Sequence, residues 1–112
     1  MVTIQAMNEM ISKLAEKLKS VDVYPRRILL FGSYAKGTPH VYSDVDLAIW
    51  AKGFKGIRSL DIEKIAPAMR DFNGFEIHPF TEFETIDENP FIEEIERYGI
   101  DYSHLISKQP LT

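Results

Sequence analysis

The sequence predicts an α/β (α+β) fold, with a small mixed sheet flanked by helices. Three observations carry that expectation. Segments with helical apolar spacing alternate with short apolar runs, in the order helix, strand, short helix, strand, helix, strand, helix. The run Ile28-Leu29-Leu30-Phe31 is apolar on both faces, which marks a strand inside a sheet rather than at its rim. Turn and breaker residues punctuate the segments at Pro25, Gly32-Ser33, Asn73-Gly74 and Gly99.

Taken in order, residues 3–20 read as an amphipathic helix with Thr3 as N-cap. Ile4, Met7, Met10 or Ile11, Leu14 and Leu18 form its apolar stripe, and Glu9 and Lys13 face solvent. Pro25 bars continuation and pushes Tyr24 to extended geometry. Residues 26–31 form the first strand, broken at Gly32-Ser33, where Ser33 is placed to cap a short helix ending near Lys36. The second strand runs over residues 44–50. Residues 51–59 are a connector carrying Lys52, Lys55 and Arg58. A helix over 60–71 should kink or split at Pro67. Phe75-Glu76-Ile77-His78-Pro79-Phe80 reads as a third strand, with Glu76, His78 and Phe80 on one face. Residues 81–88 are acidic. Asn89-Pro90 opens a helix striped by Phe91, Ile92, Ile95 and Tyr98 and stopped by Gly99. Residues 100–106 are expected to add a short closing strand, and 107–112 a tail. Whether the linker between the first two strands makes a long hairpin or a crossover is open at this level.

A chain of 112 residues is expected to form one domain, long enough to bury a core without staples. There is no cysteine, which excludes disulfides and thiolate metal sites and suits a cytoplasmic setting. No apolar stretch reaches the roughly 20 residues that span a bilayer, and the N-terminus lacks a secretory layout. The formal charge of -4 argues against general nucleic-acid binding, which calls for a basic surface.

The chemistry concentrates in residues 27–50. Ser43-Asp44-Val45-Asp46-Leu47 places two carboxylates at i, i+2, so on a strand Asp44 and Asp46 share a face. Adjacent carboxylates repel unless a cation lies between them, and oxygen donors suit a hard divalent ion. Upstream, Gly32-Ser33 ends a strand and leads into a polar turn suited to phosphate. His40 and His104 have no ligand spacing with each other. Nothing in the sequence suggests a Ser-His-Asp arrangement.

Gly32-Ser33-Tyr34-Ala35-Lys36-Gly37, followed by Ser43-Asp44-Val45-Asp46-Leu47, resembles the GSxAxG…SDxDL signature of the DNA polymerase beta-like nucleotidyltransferase superfamily. Length and layout are similar to the minimal nucleotidyltransferase (MNT) proteins of MNT/HEPN toxin–antitoxin pairs. The resemblance implies the polymerase beta-like fold and a Mg²⁺-dependent transfer of NMP, AMP from ATP or from another NTP, to a hydroxyl. It implies two metal ions held by Asp44 and Asp46, and a triphosphate held by Gly32 and Ser33 with help from Lys36. It also implies a third carboxylate on the neighbouring strand that acts as metal ligand or base. Glu76 fits that role, and Asp71 is the alternative. His78 shares the face of Glu76 and can reach a substrate. Tyr34 stands where the family pattern often has Arg, and Tyr34 or Tyr42 can stack on a base instead. The acceptor-holding domain of larger relatives is missing. The acceptor is therefore expected from a partner or a second copy, and the resemblance to MNT proteins implies that it is a tyrosine of a cognate HEPN toxin. Two other readings stand beside this one: an antitoxin module that neutralises its partner by contact, through the stripe Phe91, Ile92, Ile95 and Tyr98, and a transferase acting on a small molecule such as an antibiotic.

Overall fold

The computed structural model describes residues 3–39 and 43–106. Helix α1, Ile4–Lys19, begins where the Thr3 hydroxyl accepts the amide of Ala6. Its buried stripe is Met7, Ile11, Leu14, Ala15 and Leu18, so Ile11 takes the position that spacing left open. Ile4 was expected in the stripe but is exposed, because the first turn runs past the edge of the core.

Strand β1, Tyr24–Phe31, starts two residues earlier than expected and contains Pro25. A register irregularity between Pro25 and Arg27 accommodates the proline, which has no N–H to offer. Helix α2, Gly32–Lys36, follows directly. Ser33 does not cap it: it lies inside the first turn, and the capping position falls on Phe31, which has no polar side chain. Strand β2, Val45–Lys52, pairs antiparallel with β1, which settles the linker as a long hairpin connection. Helix α3, Arg58–Ile65, gives way to a 3₁₀ turn over Ala66–Met69, with Pro67 at the break. Strand β3, Phe75–Thr81, pairs parallel with β2. Helix α4, Phe91–Tyr98, is preceded by Asn89, whose Oδ1 accepts the amide of Phe91. Gly99 ends α4 in extended rather than left-handed geometry, and a side chain there would crowd the carbonyl of Ile95. The closing strand is shorter than expected. Strand β4 is Ile100–Asp101 alone, followed by a 3₁₀ turn over Ser103–Leu105. The expected tail over 107–112, and His40 and Tyr42, lie outside the described residues.

The sheet order is β3-β2-β1-β4. β1 is interior, as its two-sided apolarity predicted. The sheet is buried on both faces because alternate residues of the same strands feed two cores. On one face Ile28, Leu30, Val45, Leu47, Ile49 and Ile77 pack against α1, the 3₁₀ turn and Phe72. On the other, Leu29, Ala48, Trp50 and Phe80 pack against Ile92 and Ile95 of α4. Trp50 is stacked on Phe80 and donates its Nε1–H to the carbonyl of Glu84. The acidic segment over 82–88 is ordered by two similar turns, in which Glu84 accepts from Thr81 and Glu88 accepts from Thr85. Among the described residues, no helix is long and apolar enough to cross a membrane.

Candidate active site

Strand register builds the site. Phe31 of β1 lies opposite Asp46 of β2, and Asp46 lies opposite Glu76 of β3. The three form one row across the sheet, on the face that carries α4. The next row on that face is Leu29, Ala48 and His78. The face therefore changes from apolar to charged within a few residues along the strands.

One oxygen or nitrogen from each of Asp46, Glu76 and His78 lies within 4.8 Å of the others. His78 Nε2 is 3.3 Å from Asp46 Oδ1 and 3.9 Å from Glu76 Oε2. Phe31 meets the His78 ring edge-on, with centroids 4.7 Å apart, and Phe91 lies 5.9 Å from Phe31. The cluster thus has an aromatic wall on one side. Burial raises the Asp46 carboxyl above its ordinary value. The His78 hydrogen bond draws it back, Glu76 beside it pushes it further up, and the net direction is up. A partly buried carboxylate beside a second carboxylate is an arrangement that a cation would stabilise.

Gly32 closes the other side. Its φ is 72°, in the left-handed region, and a Cβ there would overlap Asp46 Oδ2. Only glycine lets the end of β1 approach the carboxylate so closely. Ser33 lies in the same turn. Lys36, at the far end of α2, is turned toward α4, with its Nζ 5.4 Å above the Tyr98 ring. Asp44 is exposed one residue before β2 and is not part of the cluster. The structure therefore brings together Gly32, Asp46 and Glu76 and adds His78, whereas Asp44 and Lys36 stand outside the close contacts. Asp71, the alternative third acid, lies exposed in the turn after the 3₁₀ segment.

Two residues escaped the sequence reading. Arg58, the first residue of α3, reaches Glu76 Oε1 at 3.3 Å through Nη2 and approaches His78 Nδ1 at 3.5 Å through Nη1. Its signal was position: a cation at a helix start, after Gly53 and Gly56, on the crossover between two site-bearing strands. Asp61 is 1 % exposed and accepts the amides of Lys55 at 2.8 Å and Gly56 at 2.9 Å. It ties the connector over 51–59 to α3, just before Arg58. No pattern in the sequence marked it, because an acid in the first turn of a helix is ordinary.

Two cavities flank the cluster. One of about 870 Å³ runs along β3 and is mostly apolar, walled by Ile62, Ile65, Met69 and Phe72 with Arg58 and Glu76 at its margin. A smaller one of about 280 Å³ is lined by Gly56, Arg58, His78, Phe80 and Phe91. The larger cavity meets the carboxylate cluster only at Glu76.

Comparison with known proteins agrees with this architecture. A search of curated proteins gives no match. Among solved structures, a protein from Sulfolobus solfataricus described as a candidate nucleotidyltransferase is 20% identical, with a TM-score of 0.50, over 84% of this chain and 80% of its own. A toxin–antitoxin structure with AMP-PNP is 24% identical, with a TM-score of 0.46, over 79% of this chain and 71% of its own. The first likeness concerns the fold. The nucleotidyltransferase domain family matches residues 11–102, which takes in β1, the Gly32-Ser33 turn, the Asp44/Asp46 pair and Glu76, and the chain belongs to that family.

Proposed function

We propose that the protein transfers a nucleoside monophosphate, AMP from ATP in the first instance, to a hydroxyl of a partner protein. On this reading it is an antitoxin whose acceptor is a tyrosine of a HEPN toxin. The observation that carries the proposal is the cross-strand row in which Asp46 and Glu76 lie side by side next to Gly32. That arrangement gives the GSxAxG…SDxDL resemblance its chemistry: a close backbone turn for phosphate beside two paired acids.

The donor set fits a divalent cation. Asp46, Glu76 and His78 converge within 4.8 Å, and the Asp46 carboxyl is raised by burial first and by the neighbouring Glu76 second. These residues, with Asp44 at the head of β2, would hold it. The oxygen-rich set suits Mg²⁺ or Mn²⁺, and the imidazole favours Mn²⁺ of the two. When bound, such an ion neutralises the triphosphate and acidifies a hydroxyl. The protein's own groups supply position. Backbone amides at Gly32-Ser33 and the Ser33 hydroxyl hold the triphosphate tail. Lys36 adds charge after leaving Tyr98. Glu76 takes the proton of the acceptor hydroxyl as its oxygen attacks the α-phosphorus. The bond from that phosphorus to the bridging oxygen breaks, and pyrophosphate leaves.

The test is direct. The protein is incubated with Mg²⁺, labelled ATP and a candidate HEPN-domain partner from the same genome, and the partner is weighed for the mass of one AMP. Asp44→Asn with Asp46→Asn should abolish the adduct. A contact-only antitoxin is the second reading, and the exposed Phe91 and Tyr98 on α4 favour it. Neutralisation that persists in the double variant with no adduct selects that reading.

A further inference from the structure

Among the described residues, Arg58 is the one permanent cation paired with the acid cluster, and its placement is built rather than incidental. Asp61, buried, holds the amides of Lys55 and Gly56, so the chain enters α3 in a fixed direction. Arg58 is the first residue to emerge. Its guanidinium bridges Glu76 and His78 and lines both cavities that flank the cluster. It stands beside the cluster in which Asp46 and Glu76 lie side by side across β2 and β3. The pair is nonetheless open to solvent, with the Arg58 side chain 54% and Glu76 47% exposed, so it is weak and exchangeable.

We propose that Arg58 and a divalent ion compete for Glu76, and that the guanidinium displaced from Glu76 binds the phosphates of the incoming nucleotide. The inference rests on the nucleotidyl-transfer reading above and assigns Arg58 two opposed effects. As a counter-cation it holds metal affinity down. As a planar, five-donor fork it holds nucleotide affinity up. A guanidinium that merely stabilises the fold would still hold metal affinity down but would not hold nucleotide affinity up. The arrangement makes metal and nucleotide binding cooperative: the ion frees the arginine, and the phosphates then keep it from returning to Glu76.

The experiment uses the intact chain and two probes, Mn²⁺ alone and a non-hydrolysable ATP analogue at saturating Mn²⁺. Arg58→Gln should bind Mn²⁺ about three- to tenfold more tightly, the scale of one unit charge removed from a few ångströms away in a solvated site. The same variant should bind the analogue about tenfold or more weakly. Arg58→Lys should leave Mn²⁺ affinity near that of the parent and still weaken the analogue, because an ammonium keeps the charge but loses the fork. Mn²⁺ affinity that is equal or lower in Arg58→Gln overturns the competition. Unchanged analogue affinity in both variants overturns the phosphate role. If Asp46→Asn leaves Mn²⁺ binding intact, the metal-site reading itself fails. If Asp46→Asn abolishes it while Arg58→Gln behaves as the parent, only the Arg58 inference fails.

Discussion

The two faces of the sheet are made by the same strands and could hardly differ more. Toward α1, successive residues are aliphatic along the whole length of β2: Val45, Leu47, Ile49 and Ala51 are all buried. Toward α4, the intervening residues pass from Asp46 through Ala48 to Trp50. One face is closed from end to end, whereas the other is closed at the Trp50 end and opens at the Asp46 end. The difference teaches how a small domain can carry a costly charged cluster. Alternation lets one face be closed along its whole length while the other, closed around Trp50, Phe80, Ile92 and Ile95, keeps Asp46 at its open end, where burial raises the carboxyl above its ordinary value. Asp46 is flanked in sequence by two of the most buried residues in the chain, which fixes its place in the sheet without any help from its own charge.

That contrast can be broken from either face. The largest expected effect is on activity. Asp46→Asn should reduce transfer by more than about 10³-fold, on the scale of losing a preorganised electrostatic group, while the melting temperature at neutral pH stays level or rises. A large fall in melting temperature would show that Asp46 is structural. Next comes the closed face, where Leu47→Ala should cost about 2–5 kcal/mol in denaturant unfolding. Leu47 is fully buried between β1 and β3 under α1, so the cavity has no solvent to fill it. Gly32→Ala sits at the junction and should cost about 1–3 kcal/mol from left-handed strain and overlap with Asp46, with loss of transfer out of proportion to the lost stability. A variant that keeps full activity would show that the close approach is unnecessary.

The smallest effects are those of pH. Asp46 has a folded value raised above the ordinary 3.8, so its contribution to stability is fully present below the unfolded value and is lost as pH rises through the raised one. Divalent-ion binding runs the other way, because it needs the carboxylate. Affinity should rise across the same window, centred above the ordinary aspartate range. Asp101 is opposite in sign. The Ser103 hydrogen bond lowers its value, so its contribution is present above 3.8 and is lost as pH falls through the lowered value. Melting curves over the acid range for the parent, Asp46→Asn and Asp101→Asn separate the two.

Much of this was legible because strands report themselves by alternation. The two-sided apolar run placed β1 in the interior. The i, i+2 acids before an apolar run placed Asp46 on the open face, and the same period put Glu76 and His78 together on β3. What alternation cannot give is register between strands. That Asp46 meets Glu76, rather than a residue two places away, follows from the parallel pairing of β2 with β3, which no local pattern encodes. Arg58 was invisible for a related reason. Its partners lie 18 and 20 residues onward, across a crossover. Asp61 was read as neither core nor site, because the amides it holds belong to the connector, and backbone donors leave no trace in residue identity. Ser33 was misplaced by local rules, since the close approach of Gly32 to Asp46 decided that turn, whereas Gly99 ends α4 as expected but in extended geometry, close to the carbonyl of Ile95.

The two-residue strand β4 has a consequence in time as well as in space. It covers the second edge of β1 through Leu29 opposite Asp101, and is fastened by Tyr102 donating its amide to Ile28 and by the Ser103 hydroxyl accepting from the amide of Ile28. The partners of β1 on this side lie some seventy residues downstream. While the chain is being synthesised, β1 and β2 are complete early, but the β1 edge stays unpaired until residues near 101 have left the ribosome. Through that interval a strand with the apolar run Ile28-Leu29-Leu30-Phe31 offers open backbone groups to other nascent chains. Slowing elongation before residue 100, or deleting Asp101–Ser103, should therefore send newly made protein into aggregates although no residue of the Asp46, Glu76 and His78 cluster is changed.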